Sequence, residues 1–240
     1  MPFSSQERPI CFSKALLPVN IDGAQSGILI ENLRPPCVKN FEETLFEAYR
    51  DMAERAFGVP ITVIAEYDVF FAERIRAILR GAVYGRFSLL IRGILCEKDL
   101  KNALFEINRV FCELETDGRE FNGYIQRGIC IDSPMLLRQN VSTDGIDLCV
   151  IDADRLISLM TNNSERTESY VLSLVADEIK AALLRWRKAE CFAILGKYST
   201  NEDFCRQLTN CGICSFFVSK GFRDATATAI GVITEDQKTL

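Results

Sequence analysis

The stretch "PITVIAEYDVFFAERIRAILRGAVYGRFSLLIRGI", residues 60 to 94, decides the fold class of this chain. It opens with a β-branched apolar run at 60–66, continues with helical spacing of apolar residues at 70–83, and returns to an apolar run at 87–94. Short, bounded apolar runs are typical of buried parallel strands, and an amphipathic segment between two of them is typical of a crossover helix. The stretch therefore predicts a β-α-β unit.

The same alternation continues on both sides of this unit. Apolar runs predict eight strands, and amphipathic segments predict the helices between most of them. The other six strands are predicted at 16–21, 27–32, 127–132, 146–152, 191–196 and 214–219. The other helices are predicted at 40–58, 97–118, 134–141 and 168–188, with one more beginning near Asn201. Asn40 and Glu43 have the spacing of a helix-capping box, and Gly58 and Gly118 are placed to end their helices.

Eight strands are the number that a TIM-like (β/α)8 barrel requires, so the predicted fold class is α/β, with residues 1–240 as a single barrel domain. The first two strands are separated by only about five residues, whereas a parallel crossover takes a dozen or more. The prediction therefore leaves open whether the barrel is complete near its first β-α units. Residues 221–240 are weakly patterned.

Composition excludes several classes of protein. A formal net charge of −5 is the opposite of what a nucleic-acid-binding face requires. The N-terminal residues lack the features of a secretory signal, and no apolar run has the length of a membrane span, so no membrane association and a cytoplasmic location are expected. The chain contains no histidine, so any catalysis has to use Asp, Glu, Lys, Cys or Tyr.

The ten cysteines mostly lie in apolar runs, which is typical of buried thiols in a reducing compartment. Cys205, Cys211 and Cys214 form a different group, because a Cys-x-x-Cys pair can be a redox or metal pair. Without histidine or a second such pair, a structural zinc site would need a distant fourth ligand. A helix-end cysteine and a strand cysteine are the favoured interpretation, with the redox or metal role as the alternative.

Three segments resemble a known family: "IRAILRGAVYGRFSLLIRGI" at 75–94, "GICIDSP" at 128–134 and "DLCVIDADRL" at 147–156. They are similar to the C-terminal TIM barrel of the phosphoenolpyruvate (PEP)-utilising enzymes, of which enzyme I of the bacterial sugar phosphotransferase system is one, over roughly residues 15 to 220. The resemblance implies a phosphotransferase site with Mg²⁺, phosphate-binding arginines and an acid cysteine, in a barrel that also mediates dimerisation.

Most of those site positions are occupied by other residue types. Asn32, Ile64 and Glu165 stand where the resemblance implies arginines, and Leu195 stands where it implies the cysteine. At the metal positions Asp132 keeps an acid, Asp154 aligns with the family's asparagine, and Arg155 aligns with the second acidic ligand. A guanidinium group there would repel Mg²⁺ and could bind carboxylates directly. We therefore expect Asp132 to pair with Arg155 rather than with a metal ion.

Two functions follow from these substitutions. The first is a degenerate, non-catalytic barrel that serves as a binding or regulatory module, as a homodimer or with a protein partner, and without a cofactor. The second is a repurposed enzyme acting on a small carboxylate or phosphate ester such as phosphoenolpyruvate or pyruvate. In that alternative Asp132 and Asp154 would bind Mg²⁺ or transfer protons, and Arg92, Arg155 and Lys197 would bind the anionic substrate.

Overall fold

The structure, a computed structural model, describes residues 14–20, 27–31, 40–142, 144–161, 168–185, 190–195, 197–213 and 215–219. Its strands are β1 (Lys14–Asn20), β2 (Ile28–Glu31), β3 (Ile61–Glu66), β4 (Phe87–Arg92), β5 (Gln126–Ile131), β6 (Leu148–Asp152), β7 (Glu190–Leu195) and β8 (Ser215–Ser219). Its α-helices are α1 (Phe41–Ala56), α2 (Phe71–Gly81), α3 (Glu97–Thr116), α4 (Pro134–Arg138), α5 (Ala153–Thr161), α6 (Glu168–Leu183) and α7 (Glu202–Asn210), with a 3₁₀ turn at Lys197–Thr200.

The strands form one curled sheet in an α/β fold. Strands β2 to β8 are parallel, and each pairs with the next in chain order. Strand β1 lies between β2 and β8 and runs antiparallel to both of them, which closes the sheet. The predicted fold class is therefore confirmed in its coarse form, as an α/β fold with a curled parallel sheet, and the regular (β/α)8 pattern does not hold in the first unit, which the prediction had left open.

The short β1–β2 connection explains this departure. Seven residues at positions 21–27 join the two strands, too few for the helix that a right-handed parallel crossover needs. An antiparallel neighbour can be joined by a short link, so β1 enters the sheet in the opposite direction. The short spacing noted in the sequence thus changes the direction of one strand.

Two groups of buried side chains hold the sheet and helices together. The larger group packs α1 to α7 against the outside of the sheet. The smaller group consists only of strand residues, as expected for side chains that fill a barrel interior: Leu29, Ile64, Leu90, Cys130, Leu148, Val150, Ile194 and Phe217. Gly128 belongs to this tight region, because a Cβ atom there would lie 2.5 Å from Leu90 Cδ2 and 2.6 Å from Leu148 Cβ.

The helix-end predictions had mixed outcomes. The capping box at Asn40 is wrong, because Asn40 has a left-handed backbone (φ 68°) and its side chain makes no capping hydrogen bond within the described ranges. Gly58 and Gly118 do follow their helices with positive φ values of 84° and 63°. Asn201 caps α7, where its Oδ1 accepts a hydrogen bond of 2.9 Å from the Phe204 amide.

Helix α5 was not predicted. It begins at Ala153, directly after β6, and is only nine residues long, so its apolar positions merge with those of the preceding strand. Within the ranges given above, no helix combines the length and apolar character needed to cross a bilayer.

Candidate functional site

Charged residues gather at the carboxyl ends of the parallel strands, which is the end where barrel enzymes hold their active sites. Glu31, Glu66, Arg92 and Asp152 are the last residues of β2, β3, β4 and β6, and Asp132 directly follows β5. The curl of the sheet brings these five residues together around the mouth of the barrel. We call them the Arg92 cluster.

Arg92 is the centre of this cluster and is only 6% exposed. Its Nη2 lies 2.8 Å from Glu31 Oε1 and 3.3 Å from Asp152 Oδ2. Its Nη1 lies 3.7 Å from Glu66 Oε1. Its Nε lies 4.0 Å from Asp132 Oδ2 and has no hydrogen-bond partner in the described part of the chain. One guanidinium group is thus surrounded by four carboxylates.

The surroundings keep Arg92 charged. Burial alone would lower the pKa of its guanidinium, but its acidic neighbours, Glu31 among them, raise it by more, so the pKa lies above its ordinary value. Burial also raises the pKa of the Cys130 thiol to about 12. Because that thiol is neutral near pH 7, the negative charge that compensates Arg92 comes from the carboxylates.

Arg155 forms the second link of the site. Its Nε lies 3.3 Å from Asp132 Oδ2, so the predicted pairing of Asp132 with Arg155 is confirmed. Its backbone N–H donates a hydrogen bond of 3.0 Å to Asp152 Oδ1. The two pairs differ in burial: the Arg155 side chain is 56% exposed, whereas that of Asp132 is 7% exposed. Asp132 therefore lies between a buried and an exposed guanidinium group.

Asp154 and Lys197 meet through the backbone. The Lys197 N–H donates a hydrogen bond of 2.8 Å to Asp154 Oδ2. The other carboxylate oxygen, Asp154 Oδ1, is buried and has no hydrogen-bond partner among the residues that the structure describes. The Lys197 ammonium nitrogen lies 4.6 Å from the centroid of the Tyr198 ring.

The charged side chains at the mouth of the barrel affect both kinds of ligand predicted for it, a metal ion and an anionic substrate. In the ranges described, no three or more Asp, Glu or Cys side chains are arranged to hold a metal ion. The roles of Asp132 and Asp154 as metal ligands stay predictions. Four carboxylates against the guanidinium groups of Arg92 and Arg155 leave a formal charge of about −2, which disfavours an incoming anion. Substrate binding by Arg92, Arg155 and Lys197 also stays a prediction.

The cysteines singled out in the sequence have the environment of inert thiols where it is described. Burial raises the pKa of Cys205 to about 12 and also raises the pKa of Cys211. The Cys211 Sγ lies 3.7 Å from the carbonyl oxygen of Ala176. Both environments favour the protonated thiol, whereas a reactive cysteine needs the thiolate. Cys214 lies outside the described residues.

Sequence reasoning missed three members of the Arg92 cluster, namely Glu31, Glu66 and Asp152. The signal that could have found them is their position, because Glu66 and Asp152 end predicted parallel strands and Glu31 is one residue before the end of another. Carboxyl ends of parallel strands share one edge, so charged side chains at those positions had to meet. Asn32 and Glu165 lie outside the described residues, as does the side chain of Leu195.

Comparisons with known proteins show the type of fold. No family model matches the chain, and no curated protein matches it. A citrate lyase structure from Burkholderia xenovorans LB400 is similar with a TM-score of 0.59 and 12% identity, covering 84% of this chain and 71% of that one. A Haloferax volcanii malate synthase structure, a ternary complex with pyruvate and acetyl-CoA, has a TM-score of 0.54 and 13% identity, covering 79% of this chain and 55% of that one.

These neighbours correct the family resemblance. The sequence segments indicated the PEP-utilising enzymes, but the similar solved structures include a citrate lyase and malate synthases, and the prediction of an enzyme I-type barrel is wrong. The segment at 75–94 spans the end of a helix and the next strand, a pattern that β-α units share regardless of family. At 12% and 13% identity the likeness shows a TIM-barrel type of fold and no activity.

Proposed function

We propose that this chain is a non-catalytic binding or regulatory module whose barrel mouth is closed by the Arg92 cluster. One observation carries the proposal: the buried guanidinium of Arg92 lies within 4.0 Å of four carboxylates at the end of the sheet where barrel enzymes hold substrate. The groups that could perform chemistry there neutralise one another.

Breaking this arrangement has a large energetic cost. A carboxylate that binds a metal ion or accepts a proton has to give up its guanidinium partner. Removing one partner of a buried ion pair costs roughly 3–5 kcal/mol, because the other charge stays buried and uncompensated. The side chains of Arg92 and Asp132 are 8% and 7% exposed, so this cost applies to them. The cluster is therefore better suited to fixing the strand ends than to turnover.

The net charge of the mouth supports the same proposal. With four carboxylates and two guanidinium groups, the surface repels small carboxylates and phosphates. An enzyme for an anionic substrate would need an excess of cations at this place. A module that acts through a protein partner or as a homodimer does not need one, and a cytoplasmic location is part of this proposal.

Ligand-induced thermal shifts test the proposal. Pyruvate, oxalate and inorganic phosphate at millimolar concentration, each with and without Mg²⁺ or Mn²⁺, should leave the melting temperature unchanged. Ligand binding to the folded state raises the melting temperature by mass action, so a site would be seen. A rise of several degrees that disappears in the Asp132→Asn variant would show a working site at the mouth and contradict the proposal.

A second candidate is a repurposed enzyme acting on a small carboxylate or phosphate ester. It is favoured by Asp154, whose Oδ1 is buried without a hydrogen-bond partner in the described ranges. An unsatisfied carboxylate oxygen beside Lys197 could accept a proton, or bind Mg²⁺ if a metal takes part. In this candidate Arg155, which is half exposed at the rim, would hold the substrate anion.

Proton exchange separates the two candidates. The repurposed enzyme should exchange the methyl protons of pyruvate in D₂O faster than buffer alone, as measured by ¹H NMR, and Asp154→Asn should abolish the acceleration. A rate equal to that of buffer, for the wild type and for Asp154→Asn alike, is the outcome expected of the non-catalytic module.

A further inference from the structure

A second feature lies at the opposite end of the barrel from the Arg92 cluster. It is a pocket with a volume of about 630 Å³, formed by the end of α2, the last turns of α3 and the segment 120–124 that leads into β5. Helices of a β-α barrel return the chain to the amino ends of the strands, so this pocket and the mouth are separated by the length of the sheet. Its volume is typical of a small-molecule site.

Aromatic packing and backbone hydrogen bonds fix the walls of the pocket. The rings of Phe111 and Phe121 stack with centroids 5.9 Å apart and an interplanar angle of 27°. The Asn122 N–H donates a hydrogen bond of 3.0 Å to the Leu79 carbonyl oxygen, which ties the segment to α2. The Tyr124 N–H donates a hydrogen bond of 3.0 Å to Asn122 Oδ1. The pocket is thus preformed, with Tyr124 fully exposed at its edge.

Arg127 supplies the charge of the pocket. Its guanidinium carbon lies 4.8 Å from the centroid of the Phe111 ring, and its Nη1 donates a long hydrogen bond of 3.4 Å to Asn108 Oδ1. In the described part of the chain, no carboxylate oxygen lies within 4.0 Å of its guanidinium nitrogens. Arg80 contrasts with it, because that guanidinium lies 2.8 Å and 2.9 Å from the carboxylates of Glu42 and Glu43.

The electrostatic state of Arg127 agrees with this geometry. Burial lowers the pKa of its guanidinium, and the nearby Asp147 only partly offsets that effect. The carboxylate of Asp147 accepts a hydrogen bond of 2.9 Å from the Arg127 backbone N–H instead. A half-buried cation beside an aromatic ring, without a carboxylate partner, is a suitable receptor for an anion.

The rest of the lining limits the kind of anion. Glu115 and Glu120 lie at the edge of the pocket and would repel a ligand with two or three negative charges. Because Glu115 and Glu120 are exposed, solvent screens them more than it screens the half-buried Arg127, so a ligand with a single negative charge can pair with Arg127. Phe121, Tyr124 and Val83 supply apolar and aromatic surface next to the guanidinium, which favours a flat ring over a polar sugar.

We propose that this pocket binds a planar aromatic monocarboxylate, whose carboxylate pairs with Arg127 and whose ring packs against Phe121 and Tyr124. The site is independent of the mouth and of the function proposed for it. Its ligand could be the signal to which a regulatory module responds, and loss of either proposal leaves the other standing.

Titration calorimetry with benzoate and indole-3-carboxylate tests the pocket, with benzamide as the neutral counterpart of benzoate and inorganic phosphate as a multiply charged anion. We expect saturable binding of the two carboxylates, and binding of benzamide that is weaker by about tenfold or more, because a charge-assisted hydrogen bond is lost. Absence of carboxylate binding, equal affinity for benzamide, or tighter binding of phosphate would overturn the proposal.

Matched variants locate the binding site. Arg127→Met should weaken carboxylate binding by about tenfold or more, and Arg127→Lys should weaken it less. Arg138→Met removes a guanidinium that is 60% exposed and pairs with Glu178 outside the pocket, and should leave the affinity unchanged. Tyr124→Ser replaces a fully exposed side chain that folding does not need, and should also weaken binding. Unchanged affinity in Arg127→Met and Tyr124→Ser would place the ligand elsewhere and contradict the proposal.

Discussion

Two arginines on neighbouring strands, one at each end of the barrel, have very different surroundings. Arg92 ends β4 and is surrounded by the carboxylates of Glu31, Glu66, Asp132 and Asp152. Arg127 lies near the beginning of β5 and is stacked on an aromatic ring beside an open pocket. The first cation is compensated inside the protein, and the second is left with room for a partner from solution.

The difference follows from the depth of burial. A guanidinium that is 6% exposed requires negative charge from the protein itself, because solvent cannot supply compensation. A half-buried guanidinium keeps part of its hydration, so the fold tolerates it without a carboxylate. The mouth is therefore expected to contribute stability, and the pocket at the other end is expected to contribute binding.

The largest effect should come from removing the compensated cation. Arg92→Met removes the cation that lies among the carboxylates of the Arg92 cluster and leaves those negative charges uncompensated. It should lower the free energy of unfolding by roughly 3–5 kcal/mol. Urea denaturation followed by circular dichroism measures this loss. The matched control is Arg155→Met, which also contacts Asp132 but is 56% exposed and should cost about 1 kcal/mol or less. Similar losses in the two variants would contradict the energetic distinction between the buried Arg92 and the exposed Arg155.

A second comparison uses one glycine in the barrel interior and one in the pocket wall. Gly128→Ala places a Cβ atom 2.5 Å from Leu90 Cδ2 and 2.8 Å from the Leu148 carbonyl oxygen, so it should cost roughly 1–3 kcal/mol through overpacking. Gly123→Ala in the pocket wall places its Cβ atom no closer than 3.5 Å to Phe121, an ordinary contact. Its effect on the free energy of unfolding should stay within about 0.5 kcal/mol. If Gly123→Ala proved the more damaging of the two in thermal unfolding, the interior would not be the tighter region.

The smallest of these effects concerns the thiol beneath the mouth. Burial raises the pKa of Cys130 to about 12 in the folded state, whereas an ordinary cysteine ionises near pH 9. The unfolded chain therefore loses this proton first, so stability is insensitive to Cys130 below that pH and falls as the pH rises from about 9 to about 12.

Between pH 8 and pH 10 this group should lower the free energy of unfolding by about 1 kcal/mol. Urea denaturation at the two pH values measures the change. The decrease in the free energy of unfolding between pH 8 and pH 10 should be smaller by that amount in Cys130→Ala than in the wild type. Cys112→Ala removes an exposed thiol and should retain the wild-type dependence. Identical pH dependence in the wild type and Cys130→Ala would mean that the barrel interior admits water to this side chain.

Local sequence patterns predicted most of the fold. Apolar runs located all eight strands, and amphipathic spacing located α1, α2, α3 and α6, because both patterns depend on residues close together in the chain. The pattern failed at α5, which follows a strand without a break, and at Asn40, whose left-handed backbone differs from the extended conformation of a capping residue. The family resemblance failed because short β-α patterns are shared by unrelated barrels.

The candidate site was only partly predictable, and the reason is distance along the chain. The pairing of Asp132 with Arg155 was predicted from positions that the family resemblance assigns to a metal site, and the structure shows the pair although the resemblance is wrong. The contacts of Arg92 with Glu31 and Asp152 join residues 61 and 60 positions apart, and no local pattern specifies them. The stacking of Arg127 on Phe111 is also set by the packing of α3 on the sheet.

The sequence by itself determined the strands, most of the helices and the shortness of the first connection, since these depend on neighbouring residues. Only the tertiary structure decided that β1 runs antiparallel, that one arginine is enclosed by carboxylates, and that another is left beside an open pocket. Those features arise when the curl of the sheet brings distant strand ends together, and the burial of each charge then fixes which partners it needs.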